Sequence, residues 1–225
     1  MGINRKYIKE ELIMKKLFAA LLLVVLSVSA VFAEDVALPE PEKSGGIGVL
    51  DAVASRQSAR DFVDEEITLQ QLSNLLWVAG GVNREDGKLT YATAMNLQDM
   101  IIFVFTREAA YRYNPQAHSL TLIANGDYRK LTGGQPFVAR AAVDLLYIQD
   151  AGKWETMNRP APPEVILNCG FAHAGLSMQG VYLYAASVGW GARTRMNFDR
   201  EGLTKLLGLT EKHNFTLMQC VGPKP

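Results

Sequence analysis

The sequence predicts an α+β domain, a sheet wrapped by helices, and three observations carry that expectation. An apolar run without alternation at residues 101–106 points to a strand buried on both faces, and residues 141–149 are a second candidate for a central strand. A much longer segment, 164–188, repeats at helical spacing and reads as the principal helix. Helices and strands interleave without strict alternation, which favours this class over a doubly wound parallel sheet. With 225 residues, 48% hydrophobic and 20% charged, the composition suits one main globular domain.

Residues 1–33 are read as a signal peptide rather than as part of that domain. Lys15 and Lys16 precede an apolar run from Leu17 to Leu26, then small residues and Val31-Phe32-Ala33. Met14 is the expected true start, and Glu34-Asp35 follow the expected cut. The alternative, an uncleaved anchor, is disfavoured because the apolar core is short for a membrane span. An exported protein, periplasmic or extracellular and without a stable span after cleavage, is therefore expected. No cysteine lies near the cut to carry a lipid. Removal of this segment takes away five basic residues (Arg5, Lys6, Lys9, Lys15, Lys16) and two acidic ones (Glu10, Glu11), leaving 18 basic against 21 acidic. Such a mildly acidic chain is not a nucleic-acid binder by charge.

Residues 34–48, with Pro39, Pro41, Gly45, Gly46 and Gly48, read as an extended leader with little structure of its own, and residues 49–225 as the domain. A short helix is expected over Val49–Ser58. Thr68 and Gln71 form a capping-box pattern ahead of Leu69, Leu72, Leu75, Leu76 and Ala79, and Gly80-Gly81 ends that helix. After the strand at Ile101–Thr106, residues 111–113 and 119–124 flank Asn114-Pro115 as a hairpin. Helical pieces at 127–132 and 136–140 precede the strand at 141–149. Along the helix at 164–188, Gly170, Ala174, Ser177 and Ala185 form a small-residue stripe suited to close packing in the core or at a subunit interface. Gly189 and Gly191 break it, and a helix at 199–207 and a strand at 215–221 complete the order.

Cys169 and Cys220 are the only cysteines, and two buried thiols are favoured over a disulfide. His118, His173 and His213 stand apart from each other and from the cysteines, so no metal site is indicated. Arg56 and Arg60 lie four residues apart with Ser58 midway, a spacing at which two guanidinium groups and a hydroxyl can face one anion. Taken alone, such a pair is more often a solvated face. Asn96 and Gln98 offer amides to the edge of a planar ring, although a helix cap is the ordinary alternative.

The combination is more specific than its parts. Ser55-Arg56-Gln57-Ser58-Ala59-Arg60-Asp61-Phe62, Leu75 to Arg84, the loop ending Asn96-Leu97-Gln98, Tyr111 to Pro115 with His118, Asp127-Tyr128-Arg129 with Gly134-Gln135, and Leu183 to Gly191 occur in this order. Together, over residues 49–223, they resemble the FMN-dependent nitroreductase superfamily, most closely its SagB-type dehydrogenase-like branch.

That resemblance implies a nitroreductase-like fold with a mostly antiparallel central sheet, a homodimer that builds each flavin pocket from both subunits, and FMN as cofactor. Arg56 and Ser58 would hold the phosphate with Lys224, Arg60 would approach the pyrimidine edge, and Asn96 a ring carbonyl. Gln98 would lie beside the ring or ribityl chain, and Arg193 to Met196, chiefly Arg195 and Met196, would offer backbone groups to N5 and O4. No side chain is required as nucleophile or base, because the flavin carries the chemistry. The implied activity is ping-pong transfer from NAD(P)H or another donor to a small organic acceptor of nitroaromatic, quinone or enone type. An azoline-type dehydrogenase acting on a peptide-derived substrate and a non-catalytic flavin-binding relative are the alternatives. The sequence departs from the family's pattern at Gln179-Gly180, where Gln-Asn is usual, so Gly180 is expected to serve close packing. It also stops at Pro225, with Lys224 the one basic residue near the end.

Overall fold

A computed structural model describes residues 35–158 and 160–225; the expected signal segment lies outside the described residues. Seven strands form one sheet: β1 (Val36–Ala37), β2 (Met100–Phe105), β3 (Ala109–Asn114), β4 (Ser119–Asn125), β5 (Val143–Asp150), β6 (Trp190–Arg195) and β7 (His213–Pro223). Their order is β1-β4-β3-β2-β5-β7-β6, and every neighbouring pair is antiparallel. The helices are α1 (Val49–Ser55), α2 (Leu69–Gly80), α3 (Arg129–Thr132), α4 (Pro136–Arg140), α5 (Pro163–Ser187) and α6 (Arg200–Leu207).

The pleat of the central strands divides the core. Successive side chains of a strand point to opposite faces. Ile102 and Val104 of β2 and Leu145 and Tyr147 of β5 accordingly pack with Leu72, Leu75 and Leu76 of α2 and Ala174, Met178 and Val181 of α5. Ile101, Phe103 and Phe105, with Leu146 and Ile148, turn the other way onto Leu203 of α6. The sheet is therefore covered on both sides, which explains the apolar run without alternation. Each fully buried leucine in these layers is worth about 1.5–3 kcal/mol relative to exposure.

Local signals placed several elements. The Thr68 hydroxyl accepts from Gln71 N–H while the Gln71 side chain accepts from Thr68 N–H, which starts α2 as expected. The first helix ends at Ser55 instead of reaching Ser58, because Ser58 pairs in parallel with Ala192 and Ala59 N–H donates to Ala192 O at 2.9 Å. The leader is not structureless: Val36 and Ala37 extend the sheet beside β4, and Glu42 N–H donates to Asn74 Oδ1 at 2.8 Å. The strand β6 was not anticipated.

The small-residue stripe of α5 faces the chain's own core. A Cβ on Gly170 would come within 2.5 Å of Gln149 Oε1, and Ser177 Oγ donates to Ala79 O. It is thus not the surface on which a second subunit can pack. Gly180 departs from expectation too, since a Cβ there would make ordinary contact with Val78 at 3.5 Å. Cys169 is half-buried and Cys220 buried, and both are free thiols.

Candidate functional site

Three separate stretches meet at the outer edge of β6. The Ser58–Ala192 bridge lays the chain after α1 along this strand. The Tyr182 hydroxyl of α5 accepts from Thr194 N–H at 2.9 Å, so its own proton is available to Ser58 Oγ, 3.3 Å away. The Arg56 guanidinium lies over the same ring, 5.3 Å from its centroid. Lys224 follows β7, and its Cβ stands 3.4 Å from the position a Cβ would take on Gly191. Arg60 is exposed. Its neighbour Asp61 is engaged by Arg140 at 2.5 Å, which holds that carboxyl below the usual range.

Arg193 adds a charge that no motif identified as a side-chain contributor. It stacks on Phe137 at 4.2 Å from the ring centroid, with Nη1 3.5 Å from the carbonyl oxygens of Ala59 and Arg60. Among the described residues, Arg56, Arg60, Arg193 and Lys224 form no ion pair with a carboxylate. Such a group of cations, with a serine hydroxyl among them, creates a local positive potential suited to an anionic ligand.

Asn96 and Gln98 belong to a different corner. Met95, Asn96 and Gln98 all have positive φ, at 51°, 54° and 47°, which in non-glycine residues costs on the order of 1 kcal/mol or more apiece. Ala94 N–H donates to His173 Nε2 at 2.8 Å, and His173 Nδ1 lies 2.6 Å from Asp99 Oδ1. The other Asp99 oxygen accepts from Gln149 Nε2 and Trp154 Nε1, both at 2.8 Å. Asn96 is exposed at the tip. The Gln98 amide instead donates to Gly87 O at 3.0 Å and braces the loop from within.

Arg195 departs from its expected role. Its side chain is buried, donating to Thr132 O at 2.5 Å and to Cys220 Sγ at 3.1 Å, with Asp144 beside it. Its backbone is paired within the β6–β7 ladder. Met196 is the first residue past that ladder and is exposed, so of the two it alone remains available to a ligand.

The helix α5 relates the two corners. His173 and Tyr182 are nine residues apart, about 13 Å along the axis and on roughly opposite flanks of the helix. The structure therefore gathers Arg56, Ser58, Arg60 and Lys224, but it does not bring Asn96 to them within one protomer. Sequence reasoning missed Tyr182, the side chain of Arg193 and the Asp99–His173 pair. Only Tyr182 had a local signal, an aromatic hydroxyl on the principal helix.

Comparison with known proteins decides the family. The family model described as "Nitroreductase family" matches residues 53–223. The chain belongs to the nitroreductase family. As a member it is an oxidoreductase, and flavin chemistry is the general expectation for the group. A candidate nitroreductase from Ralstonia eutropha JMP134 is 32% identical, with a TM-score of 0.78 over 87% of this chain and 92% of that one. A candidate nitroreductase from Methanocaldococcus jannaschii is 28% identical over 79% of this chain and 91% of its own length. Two more distant structures share the nitroreductase fold. One is from the Escherichia coli microcin synthetase McbBCD complex, at 18% identity and TM-score 0.64 over 84% and 78% of the two chains. The other is the NADPH:FMN oxidoreductase of Vibrio harveyi, solved with NAD+, at 21% identity and TM-score 0.56 over 78% and 68%.

Proposed function

We propose that this nitroreductase-family protein is an exported, homodimeric FMN-dependent oxidoreductase that moves electrons from a reduced nicotinamide or another donor to a small nitroaromatic, quinone or enone acceptor. The observation that carries the reading is the set of Arg56, Ser58, Arg60, Arg193 and Lys224 at the β6 edge. FMN offers a dianionic phosphate and a ring that gains negative charge on reduction, and both ends match this donor set. Arg56, Ser58 and Lys224 would hold the phosphate, Arg60 and Arg193 would supply positive charge toward the ring, and Asn96 would offer its amide. Bound there, FMN supplies hydride acceptance at N5 and ping-pong delivery to a second molecule.

A second copy completes this arrangement. The helix α5 carries apolar residues on its outer face as well as on the face toward the sheet, and such outward apolar residues are usually covered. Its outward Leu176 is nonetheless 53% exposed, and Leu50 of the adjoining α1 is 80% exposed. Two-fold packing through this outer face would cover both residues and bring the partner subunit's Asn96 toward Arg56 and Ser58. Export rests on the basic, apolar and small-residue order of residues 15–33. No helix of the described residues is long and apolar enough to cross a membrane.

The test is purification of the chain and its anaerobic titration. A yellow protein bleached by NADPH or NADH is expected. Yellow protein inert to both removes the nicotinamide donor, and protein that stays colourless after addition of FMN removes the flavin assignment.

A further inference from the structure

We propose that His173 and Asp99 are a buried positioning pair that fixes the Thr93–Gln98 turn, and thereby Asn96, in the shape required at the flavin site; this rests on the flavin reading above. A backbone N–H can only donate. The 2.8 Å contact from Ala94 N–H therefore identifies His173 Nε2 as the lone-pair nitrogen and puts the ring proton on Nδ1, facing Asp99 at 2.6 Å. The imidazole is neutral, and Asp99, fully buried, accepts from three donors: His173, Gln149 and Trp154.

Those donors come from α5, from β5 and from the turn Ala151–Thr156. At its start the loop is thus referenced to the rigid frame of the domain through Ala94, while at its end Lys153 Nζ donates to Gln98 O at 2.6 Å and the Gln98 amide to Gly87 O at 3.0 Å. Its own backbone bonds are local, Asn96 N–H to Thr93 O at 3.1 Å and Leu97 N–H to Ala94 O at 3.0 Å. These bonds do not tie Met95 and Asn96 to the frame, whereas three left-handed residues in four positions favour relaxation of the turn once its start at Ala94 is released. A phenylalanine or leucine would fill the place of His173 without burying a carboxylate. The polar pair is accounted for by what it holds.

The full chain is the test protein, in three variants. His173→Phe keeps the ring and loses both hydrogen bonds. His173→Gln retains an acceptor near the Nε2 position. Ala94→Pro deletes the donor N–H at the first position of the turn and sets its Cδ against the imidazole, so it breaks the Ala94–His173 contact from the loop side while keeping the His173 and Asp99 side chains themselves. Hydrogen exchange of residues 94–98 in the flavin-free protein reads the loop, and quenching of FMN fluorescence reads binding.

Loss of protection at the loop and a rise in the FMN Kd of about tenfold or more are expected for His173→Phe and Ala94→Pro, with His173→Gln within about threefold of the parent. Unchanged FMN affinity in either His173→Phe or Ala94→Pro overturns the proposal, and so does a glutamine variant no better than phenylalanine when both melt like the parent. Failure of the flavin reading is distinguishable, because the parent protein itself would then not bind FMN. Should His173→Phe not fold, Ala94→Pro alone decides.

Discussion

Arg195 Nη2 lies 3.7 Å from Asp144 Oδ1, and both side chains are buried. Burial raises the Asp144 carboxyl above the ordinary range while Arg195 opposes that rise, and Oδ1 has no hydrogen-bond partner. Removing one member of such a pair leaves an uncompensated buried group. Arg195→Leu is expected to destabilise the fold by about 3–5 kcal/mol, measured by urea denaturation. A loss below about 1 kcal/mol would mean that the pair is not structural.

Arg60 has the opposite character, exposed and without a carboxylate partner among the described residues. Its replacement should hardly alter the denaturation midpoint. A charge-assisted contact is worth about 1.5–3 kcal/mol, so Arg60→Ala should weaken FMN binding by about tenfold or more. Lys88→Ala is the control, because Lys88 pairs with Asp86 at 2.6 Å away from this corner. Equal effects of the two substitutions in a fluorescence titration would remove Arg60 from the site.

What the sequence made legible was local. The Thr68–Gln71 cap, the hairpin at Asn114-Pro115 and the buried strands each depend on neighbouring residues, and each stands where it was expected. The Arg56–Ser58–Arg60 stretch was legible for the same reason. By contrast, Asp99 and His173 are 74 residues apart, and nothing in either neighbourhood announces their hydrogen bond. Arg195 was expected to offer only its backbone, and the place of its side chain beside Asp144, Thr132 and Cys220 was not legible because composition cannot tell which face of an unrecognised strand a side chain takes. The β6 strand was hidden by glycines at 189 and 191, which read as helix breakers, whereas Gly191 lies within the strand and permits the close approach of Ala59.

His118 connects the leader to the domain. Its Nε2 is 2.7 Å from Ser73 Oγ, which donates to Pro39 O, and its Nδ1 is 2.9 Å from the Tyr113 hydroxyl. Burial is the main cause that lowers its pKa below the usual histidine value. A depressed folded pKa means that the unfolded state takes up the proton first. The stabilisation is therefore complete above the unfolded value, about 6.5, and is lost as pH falls from there through the folded pKa. Hydrogen exchange at the Leu38 amide, which donates to His118 O at 3.1 Å, should accelerate over that window once corrected for intrinsic rates. His118→Gln should flatten this dependence, and an unaltered profile would count against the linkage.

Gly180 provides a test of packing on α5. The position is interior to the helix, and the nearest neighbours of an added methyl, Val78 Cγ1 and Val78 O, stand at 3.5 and 3.6 Å. Glycine in a helix interior costs about 0.5–1 kcal/mol relative to alanine. Gly180→Ala should therefore raise stability by about that amount in chemical denaturation. A destabilised variant would show that a close approach at this position requires the glycine; the same substitution at Gly170 is expected to destabilise, because its Cβ would meet Gln149 at 2.5 Å.

The separation of Arg56 from Asn96 on opposite flanks of α5 makes a prediction about pairs of protomers. If one flavin site takes its cations from one chain and its amide from the other, Arg56→Ala and Asn96→Ala should each weaken every site in their own homodimers. After unfolding and refolding as an equimolar mixture, half of the dimers are mixed, and each mixed dimer has one site with both groups intact and one with neither. High-affinity FMN binding should then return to about a quarter of all sites. Were both residues to serve the same site from a single protomer, mixing would restore none. Titration of the refolded mixture against either homodimer distinguishes the two arrangements, and it does so without depending on the identity of the electron donor or the acceptor.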